Sequence, residues 1–317
     1  MVPLVIRSAK PSDRASMIAI TRTVWEGTDY VPSAWDDWIR DPNGFLMVAC
    51  DDGEVVGLQH IEIQEDATAW IEGIRVAERA RNRGVGEALL GYGLQWSRDM
   101  GCRVARLSTS SGNPSSNRLV AKAGMRVVGS WTPLAVRRPA ARRQVESISP
   151  ALAGEADAVY RHLVASSSIS QTRLYTEGWT AHTLSVQRLR LLCALGCVLV
   201  VRHHGHIAGA TIATCAKPFQ YLRVGALTGD TATLSSLIQY VLGRAQDTAL
   251  EEVRATLHLN GGAQQALEDV GFRQWHTDLM LVHETHLSGV SPASASSRAG
   301  RDVYSRTPAC PTEPSPV

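Results

Sequence analysis

The stretch Trp70-Ile-Glu-Gly-Ile-Arg-Val-Ala-Glu-Arg-Ala-Arg-Asn-Arg-Gly-Val-Gly-Glu-Ala-Leu-Leu90 decides the fold. Its first part, 70–76, is rich in β-formers and reads as a strand, and Ala88, Leu89, Leu90, Leu94 and Trp96 give the following segment the apolar face of a helix. Between them lies Arg81-Asn-Arg-Gly-Val-Gly86, a glycine-bearing turn that opens the helix. Glycines there let the backbone come close to a bound anion, and the free N–H groups at a helix N-terminus suit a pyrophosphate. A dinucleotide-binding fingerprint does not fit, because Leu89 stands where its third glycine would fall.

Working outward, the same order of elements occurs twice. Upstream are an apolar strand at 4–7, a helix start at Lys10-Pro-Ser-Asp13 and a hairpin whose arms, 45–50 and 55–63, flank Asp51-Asp-Gly-Glu54. Downstream are a strand at 104–107 and a helix at 116–123. The second half repeats the series with strands at 198–201, 207–212 and 221–227, a helix through Leu237 and Leu242, a strand at 253–257 and a helix at 263–270. Asn113 then falls on Asn260, and Gly124-Met125 on Gly271-Phe272. A duplicated α/β domain follows.

The 317 residues suffice for two domains, and 44% hydrophobic with 20% charged residues is a globular composition. We expect a domain at 1–135, a basic linker at 136–144 (Val-Arg-Arg-Pro-Ala-Ala-Arg-Arg-Gln), a second domain at 145–286 and a disordered Pro/Ser-rich tail at 287–317. A net charge of +2 argues against nucleic acid as a partner. The apolar run 191–201 is too short to cross a bilayer and the N-terminus does not read as a signal peptide, so a cytoplasmic protein is expected, without a membrane partner. Cys193 and Cys197 read as buried small hydrophobes, and His203, His204 and His206 as a polar hairpin loop; no metal is expected.

At Arg81–Gly86 the sequence resembles the GNAT superfamily of acyl-CoA-dependent N-acyltransferases, whose central motif is Arg/Gln-x-x-Gly-x-Gly/Ala between a strand and a helix. The segment Asn113, Ser116, Leu119 and Gly124-Met125 is similar to a second family motif, and the resemblance covers roughly the first 130 residues. Within the superfamily, Asp29-Tyr-Val-Pro32, Trp35 to Pro42, Glu72–Val76 and Arg106–Ser111 resemble the branch that includes histidine N-acetyltransferases. The resemblance implies an α/β (α+β) fold in two tandem GNAT-like domains, each a mixed, mostly antiparallel sheet flanked by helices, with acetyl-CoA as cosubstrate.

Carried over residue by residue, it places Arg81, Asn82, Arg83, Gly84, Val85 and Gly86 on the CoA pyrophosphate. The backbone of Ile74, Arg75 and Val76 would take the pantetheine arm and the oxyanion, and Asn113 would hydrogen-bond the arm or the sulfur. Glu72 is the candidate base or acceptor-binding carboxylate. An ion pair with Arg75 is its competing role, which strand alternation opposes by turning Arg75 to the other face. His60 and Glu62 are its backups and otherwise solvated strand residues. Trp25, Tyr30, Trp35 and Trp38 cluster near the acceptor side, where Trp25, Tyr30 and Trp35 are candidates for substrate contact and core packing accounts for most of the group. The tyrosine that commonly protonates the departing thiolate in the family is replaced by Val120, and Tyr30 and Tyr92 are loose substitutes. In the second half Asp230-Thr-Ala-Thr233 replaces the glycine turn, which puts a carboxylate where a pyrophosphate would sit.

The expectation is an N-acetyltransferase, monomeric or homodimeric, that moves acetyl directly from acetyl-CoA to a primary amine of a small molecule or amino acid. Acetylation of a protein N-terminus or lysine, aminoacyl transfer from charged tRNA, and a non-catalytic acyl-CoA sensor are the alternatives.

Overall fold

The computed structural model describes residues 4–137, 148–216, 221–258 and 261–287, which fall into two compact units. The first contains residues 4–109, 113–127 and 283–287. Its elements are β1 (Val5–Ser8), α1 (Arg14–Thr21), α2 (Val31–Trp38), β2 (Gly44–Asp51), β3 (Glu54–Ile63), β4 (Thr68–Val76), α3 (Val85–Asp99), β5 (Val104–Ser110) and α4 (Pro114–Lys122). The strands stand in the order β1-β2-β3-β4-β5, antiparallel until the parallel β4–β5 pair. Beyond β5 the chain's C-terminal segment continues this unit, and the Leu287 N–H bonds the Arg103 carbonyl at 2.8 Å.

Two cores cover the two faces of this sheet. Ile61, Ala69, Ile71, Leu89, Leu90, Leu107 and Val120 join the strands to α3 and α4. Met17, Val31, Trp35, Trp38, Val48 and Leu58 join them to α1 and α2. Each fully buried large apolar side chain is worth about 1.5–3 kcal/mol, so the two layers fix β4 and the start of α3 firmly.

The second unit contains β6 (Arg126–Arg137, from Val128), β7 (Ile148–Pro150), α5 (Ala156–Ala165), α6 (Ser167–Ser170), β8 (Leu174–Glu177), β9 (Thr180–Thr183) and α7 (Val186–Ala194). It continues with β10 (Val198–His203), β11 (His206–Ala216), β12 (Tyr221–Thr228), α8 (Thr231–Asp247), β13 (Glu252–Leu257), α9 (Gly261–Asp269), β14 (Arg273–Gln274) and the start of β15 (Met280–His286). Its strands stand in the order β6-β13-β12-β11-β10-β7, with β12 and β13 the parallel pair. The two repeats thus have the same architecture, a mixed and mostly antiparallel sheet with helices packed on it, as the internal duplication leads one to expect.

Three local features differ from the linear reading. Val136 and Arg137, assigned to a linker, are the end of β6, paired with Val253 and Glu252; residues 138–147 and the tail from 288 lie outside the described residues, as does Asn260. The compact units also do not follow chain order, because most of β6 belongs with the second unit and the end of β15 with the first. The third is a bulge in β4 opposite Gln59, where His60 faces Glu72 but Leu58 faces Arg75. The extra residue reverses the alternation, so Glu72 and Arg75 point to the same face, contrary to the expectation.

Both hairpin turns follow the sequence reading. Asp52 and Gly53 have φ of 52° and 79°, and His204 and Gly205 have φ of 49° and 81°, the conformation of a two-residue type I′ turn. Cys193 and Cys197 lie in the core of the second unit, and burial pushes the Cys193 thiol up to about 11. No helix among the described residues is long and apolar enough to cross a membrane.

Candidate active site

The site in the first unit begins where β4 and β5 part. They pair only at Thr68–Val104, Ala69–Ala105 and Trp70–Arg106, so the edge of β4 from Ile71 to Val76 has no β5 partner. The bulge lies within this free stretch. Gly73, at φ of 66°, supplies the left-handed conformation, and a Cβ there would stand 2.7 Å from the Trp38 ring. The side chains of Ile74 and Val76 pack toward the α3 core, and the Ile74 carbonyl accepts from Arg75 Nη1 at 3.1 Å.

Arg81–Gly86 lies at the mouth of this gap. Asn82 has φ of 60° and Gly84, the N-cap of α3, φ of 80°, and no side chain caps the helix. Its first amides therefore lack the usual internal acceptor, a ready anion site that carries the positive end of the helix dipole. A Cβ at Gly84 would meet nothing within 4 Å, so the glycine answers a backbone requirement and leaves open space above the turn. Val85 anchors the turn in the core, and Arg83 is tied to Asp51 at 3.0 Å. Asn113 caps α4, accepting from the Ser116 N–H at 3.0 Å.

On the opposite face stands a group of buried polar and aromatic residues. The Glu72 carboxylate is 3.0 Å from His60 Nδ1, and its side chain keeps 21% exposure. His60 is completely buried and stacks on Trp38 with 4.6 Å between ring centroids, which corrects its expected place as a solvated strand residue. Arg75 pairs not with Glu72 but with Asp29, through Nε at 2.7 Å and Nη2 at 2.9 Å. Burial opposes the charge of Arg75, but the Asp29 carboxylate more than offsets it and the guanidinium pKa is raised. The guanidinium lies 4.7 Å from the Trp25 ring centre and 5.5 Å from that of Tyr30. Burial and the Glu72 carboxylate hold the Tyr30 phenol protonated. Trp25 and Glu26 have φ of 47° and 56°, rare for residues other than glycine; this strained turn leaves Trp25 58% exposed.

The expected site residues thus divide into groups. The Arg81–Gly86 turn and the Ile74–Val76 backbone lie on one unit around the strand gap; Glu72, Tyr30 and Trp25 gather at the bulge. Trp35, at 1% exposure, is a core residue, and Val120 is wholly buried in the core against α3. Tyr92 is 43% exposed beside Phe45 and is not among the residues at the bulge. Reasoning from the linear pattern missed the Glu72–His60 and Asp29–Arg75 pairs; the one available signal was Gly73 in mid-strand, a mark of a bulge. Among the described residues no group of three or more His, Cys, Asp or Glu is placed to hold a metal ion.

A parallel strand pair that opens beside an uncapped, glycine-led helix is the arrangement expected of an acyl-CoA site, and the acetyltransferase (GNAT) family profile matches residues 14–125. The chain belongs to the GNAT acetyltransferase family. Members of this family draw their acetyl group from acetyl-CoA, and the uncapped turn and free β4 edge fit such a cosubstrate. The human protein "Probable N-acetyltransferase 16" is 27% identical over 270 residues, 76% of this chain and 73% of the relative. Aminoglycoside N(6')-acetyltransferase type 1 of Stenotrophomonas maltophilia is 31% identical over 107 residues, 31% of this chain and 70% of the relative. Histidine N-acetyltransferase of Xenopus tropicalis is 36% identical over 74 residues, 23% of each chain. Among solved structures, a GCN5-related N-acetyltransferase from Sphaerobacter thermophilus superposes with a TM-score of 0.62 at 18% identity, covering 92% of this GNAT chain and 99% of that one. A tandem GNAT protein from the clavulanic acid biosynthesis pathway superposes with a TM-score of 0.54 at 16% identity, covering 91% and 99%.

Proposed function

We propose that this protein transfers acetyl from acetyl-CoA to the primary amine of a small molecule or amino acid, using the first unit alone. The observation that carries the reading is the convergence, on one unit, of the uncapped Gly84 turn, the free edge of β4 and the carboxylate of Glu72 at its bulge. In the reaction the amine nitrogen forms a bond to the thioester carbon, the C–S bond breaks and the amine loses a proton. Amides of the Arg81–Gly86 turn hold the pyrophosphate, and the backbone of Ile74–Val76 holds the pantetheine arm and faces the oxyanion. Preorganised donors of this kind are each worth about 3–4 kcal/mol in the transition state. Glu72 receives the proton of the amine, for which its partial exposure is suited.

The acceptor is read as a small amine, because the partly exposed Glu72 carboxylate offers an anionic group near the exposed Trp25 ring. Relatives named for histidine and for aminoglycosides support the same class. The buried apolar side chain at position 120 offers no proton to the thiolate, which leaves as such or takes a proton from water.

The test is release of free CoA thiol from acetyl-CoA across amino acids, aminoglycosides, small amines and peptides. Turnover with a small amine, lost in Gly84→Asp, is expected. Acetyl-CoA binding without turnover on any acceptor would replace this reading with that of an acyl-CoA sensor, and turnover on peptides alone with that of a protein acetyltransferase.

A further inference from the structure

His60 has no part in the function as described above, yet its surroundings are built around it. The ring is wholly buried and lies nearly flat on Trp38, with 9° between the planes. Nδ1 stands 3.0 Å from Glu72 Oε1, and Nε2 stands 3.9 Å from Asp41 Oδ2. Gly44 makes room for both groups, since a Cβ there would approach the Asp41 carboxylate and His60 Nε2 at 2.7 Å each. The imidazole is therefore fixed by its stack, by the β3–β4 register that sets His60 opposite Glu72, and by the cradle at Gly44.

We propose that His60 is the positioning residue for Glu72, its Nδ1–H donating to one carboxylate oxygen so that the other faces the acceptor amine. The proposal rests on the acetyltransferase reading and deepens it. A glutamate has three side-chain torsions, and at a partly exposed strand position it samples several rotamers. One directed hydrogen bond from a ring that cannot itself move selects among them. The face of Glu72 also holds Arg75, Asp29 and Tyr30; Arg75 is committed to Asp29, and it is His60 Nδ1 that stands at hydrogen-bond distance, 3.0 Å, from the carboxylate. A misplacement of a reacting group by about 1 Å costs on the order of a hundred-fold in rate.

Three variants test this on the full chain, with acetyl-CoA and whichever amine the wild type acetylates. His60→Phe keeps a flat ring on Trp38 and removes the donor; His60→Asn puts an amide N–H close to the place of Nδ1; Glu72→Gln removes the base. His60→Phe is expected to lower kcat about ten- to a hundred-fold with the KM for acetyl-CoA unchanged. His60→Asn should restore most of the loss, and His60→Phe should add little in the Glu72→Gln background, since it acts through that carboxylate. Wild-type rates in His60→Phe, multiplicative losses in the double variant, or no recovery in a folded His60→Asn would each overturn the proposal. Should His60→Phe fail to fold, His60→Leu, which likewise removes the donor while keeping apolar bulk against Trp38, carries the same decision alone and in the Glu72→Gln background. Failure of the underlying reading is distinct: Glu72→Gln would then match the wild type, whatever the His60 variants do.

Discussion

The two units carry the same bulge and the same parting of a parallel strand pair, but what fills the gap differs. In the first unit, β4 has no β5 partner beyond Trp70, and the adjoining helix starts at an uncapped glycine. In the second, β12 pairs with β13 only as far as Val224, and Gly225 occupies the bulge. There the segment between α6 and α7 forms the β8–β9 hairpin, and β8 packs against both β12 and β13. A Cβ at Gly225 would collide with the Thr176 carbonyl, and the Thr176 hydroxyl donates to the Thr256 carbonyl at 2.5 Å. The gap beside β12 is occupied by the unit's own strand β8. At the neighbouring helix, Asp230 caps α8 by accepting from the Thr233 N–H at 2.8 Å, so the amides that would meet a phosphate already meet a carboxylate.

The fold the two units share thus rests on residues other than those around the β4 gap. Both repeats retain a carboxylate at the start of the first helix, paired to an arginine on a strand. Asp13 takes Arg7 at 2.7 and 2.9 Å and the Lys10 N–H at 2.8 Å; Glu155 takes Arg202 at 3.1 and 2.6 Å and the Leu152 N–H at 2.7 Å. These devices order the helix entry in each unit.

The largest effect is expected at Gly84. Gly84→Asp gives the first unit the carboxylate of the second and sets a side chain at φ of 80°, and acetyl-CoA binding by calorimetry should fall at least about a hundred-fold. The reverse change, Asp230→Gly, should create no second site, because β8 still fills the gap; measurable binding there would break the comparison. Next comes Glu72→Gln, expected to lower kcat by roughly a hundred-fold while leaving acetyl-CoA affinity unchanged, in the range for loss of a general base. Thr176→Val, which removes the bond to Thr256 at a buried site, should lower stability by about 1 kcal/mol in urea unfolding without changing turnover.

The smallest effect is one of pH. The arginine partners hold the carboxyls of Asp13 and Glu155 below the usual carboxylate range. A depressed folded-state pKa gives stability that is complete above the unfolded value, about 4, and is lost as pH falls through the folded value. Urea midpoints measured between about pH 5 and pH 2 should therefore fall for the wild type, and less steeply for Asp13→Asn and Glu155→Gln.

Much of this contrast was legible in the linear pattern. The Asp52-Gly53 turn, the strand before Arg81 and the loss of both glycines around Asp230 are local signals, set by residues near one another in sequence. The bulge is not legible there, because a single extra residue at Gly73 changes the facing of Arg75 without changing the apolar character of β4. The burial of His60 is hidden for a related reason: it depends on Trp38 and Gly44, which periodicity on β3 does not report. The filling of the second gap by β8 joins Thr176 to Thr256 across a long stretch of chain, and no local pattern announces it.

The most direct measurement is a calorimetric titration of the intact chain with acetyl-CoA. One molecule bound per chain, lost in Gly84→Asp and kept in Asp230→Gly, is the expected result. Two molecules per chain, or binding that survives Gly84→Asp, would contradict the account that the first unit alone holds the cosubstrate.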